Sequence, residues 1–165
     1  MYDQPMVPAD FVVPERLDCG AYHLRMLSIE DVEKDYEAVM ASRERLTGLL
    51  DPDSTWPEGL TLKDDMIDLA WHQREFTLRH SFAYTVMSAD ESKCVGCVYF
   101  FPCNAEGYDA AAYYWVRAGE NAAARDAALG AQISDWLNAA WPFKSVAFPG
   151  RQLSWPQWRA LPRRS

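Results

Sequence analysis

The sequence predicts a single α+β domain built on a mixed central sheet of about five strands, with helices on both faces. Three observations carry that prediction. Segments that alternate with period two are interleaved along the chain with segments of helical period, instead of being segregated from them. Two segments, Cys94 to Phe101 and Ala110 to Val116, are apolar on both sides, as strands covered from both sides must be. Hydrophobic residues make up 49% of the 165 positions and aromatics 13%, enough for one sizeable core and incompatible with disorder.

The first twenty residues, with Pro5, Pro8 and Pro14, read as a loosely ordered lead-in. No repeat or Pro/Gly/Ser-rich linker follows, so residues 1–165 are expected to form one domain, with a regular core over 22–148 and an aromatic, basic tail over 149–165. Tyr22, Leu24 and Met26 alternate with His23 and Arg25 as a short strand that ends at Ser28. Ser28 then caps a helix carrying Ile29, Val32, Tyr36, Val39 and Met40 at helical spacing. The acids Glu30, Asp31, Glu33, Asp35 and Glu37 are expected on its solvated face. Leu46, Leu49 and Leu50 suggest a further turn before Asp51-Pro52 breaks it.

Thr61, with Asp64 three residues on, opens the next helix. Leu62, Met66, Leu69 and Phe76 form one apolar stripe on it, and Ile67, Trp71 and Leu78 a second, which predicts cover from more than one neighbour. Phe82 to Ser88 and Cys94 to Phe101 read as an antiparallel hairpin about the polar turn 89–93. Strict alternation puts Val95, Cys97, Tyr99 and Phe101 on one face and Val98 and Phe100 on the other. After the strand Ala110 to Val116, a helix from near Asn121 carries the stripe Leu129, Ile133, Trp136, Leu137 and Ala140 until Trp141-Pro142 stops it. Ser145 to Phe148 is a last short strand, and the tail is too short for another strand pair.

A net charge of -8, with no basic cluster apart from Arg159, Arg163 and Arg164 in the short tail, argues against nucleic acid as a partner. No apolar run approaches a membrane span of about 20 residues, and Met1 to Asp10 lacks the basic head and hydrophobic stretch of a leader, so a soluble cytoplasmic protein with reduced cysteines is expected. Cys94-x-x-Cys97 has the spacing of a metal knuckle, but residues three apart on a regular strand face opposite ways, so no metal site is expected. Asp68, His72, Glu75 and Arg79 share one stripe, read either as a surface with ion pairs Asp68–His72 and Glu75–Arg79 or as catalytic groups. Trp155 and Trp158 suit packing on the same domain or on a second subunit of a homodimer.

Three local sequences, in their order and spacing, resemble the GNAT superfamily of N-acetyltransferases. Leu24-Arg25-Met26-Leu27 followed by Asp31 is similar to the L-R-x-L-x-x-x-D opening of that family's first strand and helix. Cys94-Val95-Gly96-Cys97 is similar to its third strand, where an aliphatic-Gly pair is usual, and Tyr114-Trp115-Val116 to the G-Y-W-V end of its fourth. The resemblance spans residues 22–148. It implies a fourth and a fifth strand that splay apart, with the pantetheine arm of acetyl-CoA along Trp115, Val116 and Arg117. The pyrophosphate would then rest on the N-terminus of the following helix.

The family's loop signature Q/R-x-x-G-x-G/A falls here on Asn121, Ala124 and Asp126 and is degenerate. Asn121, Ala122 and Ala124 would supply backbone, and Arg117 and Arg125 positive charge, while Glu120 and Asp126 oppose it. The resemblance also places the acceptor groove against the third helix, which makes His72 and Glu75 candidate bases toward a small-molecule amine. The family's final strand pair is missing, so the sheet should be truncated at its C-terminal end. No tyrosine follows Tyr114 and no histidine follows His80 to protonate a departing thiolate. The implied activity is acetyl transfer from acetyl-CoA to a small amine. The alternative is a non-catalytic module of the same fold that holds CoA or another ligand in the strand cleft.

Overall fold

A computed structural model describes residues 3–164. Its sheet has six strands in sequential order: β1 (Arg16–Asp18), β2 (Tyr22–Met26), β3 (Phe82–Ser88), β4 (Cys94–Pro102), β5 (Ala110–Val116) and β6 (Val146–Ala147). Every neighbouring pair is antiparallel except β5 and β6, which are parallel. The helices are α1 (Val32–Ala41), α2 (Arg43–Leu46), α3 (Leu62–Thr77), α4 (Ala122–Ala140) and α5 (Trp155–Ala160). A 3-10 turn over Ile29–Asp31 leads into α1.

Two cores flank the sheet. On one face, Leu24, Tyr84, Val98, Phe100, Ala112 and Tyr114 meet Leu129, Ile133, Trp136 and Leu137 of the predicted α4 stripe, while Ala140, expected on the same stripe, is exposed. On the other, Leu27, Ala83, Met87, Cys97 and Trp115 meet Ala38 and Val39 of α1, Leu46 of α2 and Leu69 of α3. Helices therefore cover both faces, as the two-sided strands require.

Four expectations need correction. The lead-in is tied down: β1 pairs with β2, Tyr84 Oη donates to the Pro14 carbonyl at 2.6 Å, and Arg79 donates to the carbonyls of Pro8 and Phe11. A three-residue strand is too short to show a period, and the long-range bonds that order the proline loop leave no local pattern. The acid run is not all solvated, because Asp31 and Asp35 are buried. Asp31 accepts from both Arg25 Nη atoms, at 2.9 and 2.7 Å, which offsets its burial.

The second apolar stripe of α3 is not covered either, since Ile67 and Leu78 stay exposed, as do Leu62 and Met66 of the first. Finally, β4 does not alternate strictly. Its register against β3 slips between Val86 and Met87, so that Cys94 faces Met87 while Gly96 faces Val86. This bulge sends Val95 to the α4 side and brings Cys94 onto the same face as Cys97.

The tail folds back onto the sheet's end instead of adding strands. Ser154 and Gln157 form a reciprocal capping box on α5, Arg163 bridges to Ala105, and Arg164 donates to the carbonyls of Cys103 and Tyr108. Trp158 packs edge-on to Tyr108 within the same chain.

Candidate active site

The site begins where the sheet comes apart. β5 and β6 pair only at Ala110↔Val146 and Ala111↔Ala147, so the edge of β5 from Ala112 to Val116 has no strand beside it. Gly96 makes the other edge tight: a Cβ there would run into the Trp115 carbonyl oxygen. Trp115 itself is fully buried, with Nε1 donating to Tyr99 Oη at 3.1 Å, and Val116 is buried in the core on the other face of the sheet. These two residues thus shape the strand through their packing and offer only backbone to the gap.

Past the strand, the chain is set by α1. Arg117 pairs with Glu37, and Ser42 Oγ accepts from the Ala118 N–H at 2.9 Å while donating to the Ala38 carbonyl at 2.7 Å. α4 then opens at Asn121, whose side chain makes no cap hydrogen bond. The Ala122 N–H donates to the Gly119 carbonyl at 3.1 Å and the Arg125 N–H to the Asn121 carbonyl at 2.9 Å, which leaves the N–H groups of Ala123 and Ala124 to solvent or to an anion, with the helix dipole behind them. Ala122 is buried, whereas Asn121, Ala124 and Arg125 are exposed at this end.

Asp126 does not confront a phosphate alone. It accepts from Arg45 Nη2 at 3.1 Å and from Arg151 Nη1 at 2.5 Å, so two guanidinium groups offset one carboxylate. Arg151 reaches further: Nη2 donates to the Tyr114 carbonyl at 2.8 Å, and the guanidinium lies 3.5 Å from the Tyr114 ring centroid. The chain's own side chain thus occupies the open edge of β5. Neither Arg45 nor Arg151 stands in a local motif, so the sequence gives no signal for either.

On the opposite face of β5 lies a cavity of about 460 Å³. Ala111, the last residue paired to β6, is part of its wall, so cavity and strand gap adjoin. Its lining includes the aromatic side chains of Trp56, Tyr99, Phe101, Tyr113 and Trp158, the charged Asp51, Asp68 and Arg163, and His72. His72 is buried, its ring centroid 5.1 Å from that of Tyr99, and its Nε2 lies 3.6 Å from Asp68 Oδ2. Its Nδ1 has no hydrogen-bond partner among the described residues.

Glu75 does not join it. This carboxylate is fully buried, held by Arg74 and by His80 Nδ1 at 3.2 Å, and is not among the residues that line the cavity. The stripe Asp68, His72, Glu75, Arg79 is thus neither a solvated surface nor one cluster. Asp68 and His72 meet as expected, but Arg79 turns away through a left-handed backbone (φ 65°) to hold the lead-in. Burial also pushes the Asp65 carboxyl up to about 7, with the nearby Asp35 and Asp68 charges adding to the shift.

No family model matches the chain, and no curated protein matches it in sequence. Solved structures do. The ribosomal-protein-S5-alanine acetyltransferase of Vibrio fischeri aligns at a TM-score of 0.56 and 16% identity, over 75% of this chain and 68% of that one. A Bordetella pertussis protein described as a GnaT-family acetyltransferase aligns at 0.57 and 16%, over 88% and 84%. The microcin self-immunity acetyltransferase MccE, in complex with acetyl-CoA and AMP, aligns at 0.54 and 13%, over 73% and 65%. The chain therefore has the GNAT fold, and its β5 and β6 come apart beyond Ala111 as the resemblance implied. Among the described residues no helix is long and apolar enough to cross a membrane.

Proposed function

We propose that the chain transfers an acetyl group from acetyl-CoA to the amine of a small molecule with a flat or aromatic body. The observation that supports this best is the joining, at Ala111, of an unpaired strand edge to an aromatic cavity that contains a histidine. The strand gap and the start of α4 fit the cofactor: Ala112 to Val116 offer backbone to the pantetheine amides, and the N–H groups of Ala123 and Ala124, with exposed Arg125, offer an anion site. Bound there, acetyl-CoA would supply a thioester carbonyl.

The remaining roles belong to the cavity. Trp56, Tyr99 and Phe101 enclose an apolar body, and Asp68 attracts a cationic amine. His72 takes one proton from the bound ammonium, which frees its lone pair, and Asp68 stabilises the resulting imidazolium; as the N–C bond forms and the C–S bond breaks, the second proton leaves with the CoA thiol. Glu75 acts at most on the fold of α3. One of the structural neighbours named above acts on a ribosomal protein, whereas a cavity of about 460 Å³ with several aromatic residues in its wall favours a small acceptor.

A second reading is a module that binds without turnover. It is favoured by one observation, the Arg151 guanidinium on the Tyr114 carbonyl, where a pantetheine amide would otherwise bond. The test is to incubate the chain with acetyl-CoA and a panel of aryl and alkyl amines and to follow N-acetylated product by mass spectrometry. Product that disappears in His72→Gln supports the transferase. Saturable acetyl-CoA binding with no product from any amine supports the module.

A further inference from the structure

The bulge in β4 gathers Asp35, Cys94 and Cys97 into one buried cluster that acetyl transfer does not use. The Cys97 thiol lies 3.2 Å from Asp35 Oδ1, and the Cys94 sulfur lies 3.9 Å from the same oxygen. One ligand atom from each residue lies within 4.8 Å of the other two. We infer that these three side chains form a structural zinc site that ties α1 to β4.

The donor set selects the metal. Two sulfurs and a carboxylate oxygen suit zinc and disfavour magnesium or calcium, which take oxygen alone. Zn–S bonds of about 2.3 Å and Zn–O bonds of about 2.1 Å put tetrahedral ligands roughly 3.5 Å apart, so closing the cluster takes shifts of about an ångström. With Asp35 binding through both carboxylate oxygens, the three residues supply four donor atoms.

The register and the charges agree with this. On a regular strand, residues three apart would face opposite ways, and the bulge is the departure that puts both sulfurs beside Asp35. Asp31 has Arg25 as its partner, but among the described residues no lysine or arginine pairs with Asp35. Asp65 is buried nearby with Oδ2 lacking any partner, so this interior is short of positive charge. Binding is an exchange in which the thiol protons leave to solvent as Zn²⁺ enters. The metal would fix α1, the helix whose Glu37 holds Arg117 at the cofactor end.

The test uses the untagged chain, expressed in zinc-supplemented medium and purified without chelator. Elemental analysis should find about one zinc per chain, and Co²⁺ added to the metal-free chain should give a sulfur-to-cobalt charge-transfer band that saturates at one equivalent. Cys97→Ser and Asp35→Asn should each weaken Co²⁺ by at least about tenfold. Absence of both zinc and the charge-transfer band in the unmutated chain would overturn the proposal without reliance on any variant's folding. So would zinc retained in full by Cys97→Ser. The cluster would then be a thiol–carboxylate hydrogen-bond network in the core.

Discussion

His72 owes its place to spacing that the sequence displays, four residues from Asp68 and three from Leu69's buried stripe, so its contact with Asp68 could be read before the fold was known. Glu75 could not be placed in the same way. Its partners are a neighbour on the helix and His80 beyond the helix end, and the turn that brings His80 back has no periodic signal. If His72 is the base, His72→Gln should lower kcat about 100-fold or more while leaving the Kd for acetyl-CoA within twofold, about the range expected for loss of a positioned base. Steady-state kinetics and calorimetry on the same preparation separate the two. Asp65 supplies a second residue-scale prediction. The fold raises its carboxyl pKa to about 7, which means that it favours the neutral form. Its contribution is full below the ordinary carboxylate value of about 4 and is lost as pH rises through about 7. Asp65→Asn should therefore raise the melting temperature at pH 8 more than at pH 4, and an equal change at both would contradict the shift.

The elements were legible where a period ran long enough. α3, β3, β4, β5 and α4 follow the predicted segments closely, because ten or so residues of alternating or helical pattern leave little choice of face. β1 and the β4 bulge escaped for the opposite reason: one is three residues long, and the other is a single extra residue that resets every face upstream of it. Gly96 sits in that bulged strand against the Trp115 carbonyl, so Gly96→Ala must push β4 and β5 apart. A loss of about 3 kcal/mol is expected from chemical denaturation, in the range of overpacked core sites. A change under about 0.5 kcal/mol would mean that the strands yield freely. Arg151 tests the gap itself. Arg151→Ala removes a hydrogen bond to Tyr114 that the cofactor must displace, worth about 1 kcal/mol, so acetyl-CoA should bind about fivefold more tightly. Weaker binding would instead make Arg151 a phosphate ligand.

At the scale of the molecule, the two-faced strands announced a sheet covered on both sides, and the fold follows that expectation with a strand added at the front and a tail that folds back after β6. What could not be read was the company each charged group keeps. Asp126 stands in the α4 first turn as an apparent obstacle to phosphate, yet Arg45 and Arg151 reach it from 81 and 25 residues away. Such pairs form only when the whole sheet has closed, so neither local pattern nor composition reports them. In the proposed complex, the edge of β5 and the start of α4 together hold acetyl-CoA. Calorimetric titration of acetyl-CoA into the chain reads this out. Saturable binding at one site per chain is expected, weakened several-fold by Arg125→Ala, with that difference shrinking as salt is added because the contact is with phosphate. No heat of binding at millimolar acetyl-CoA, or binding indifferent to both Arg125→Ala and salt, would contradict it.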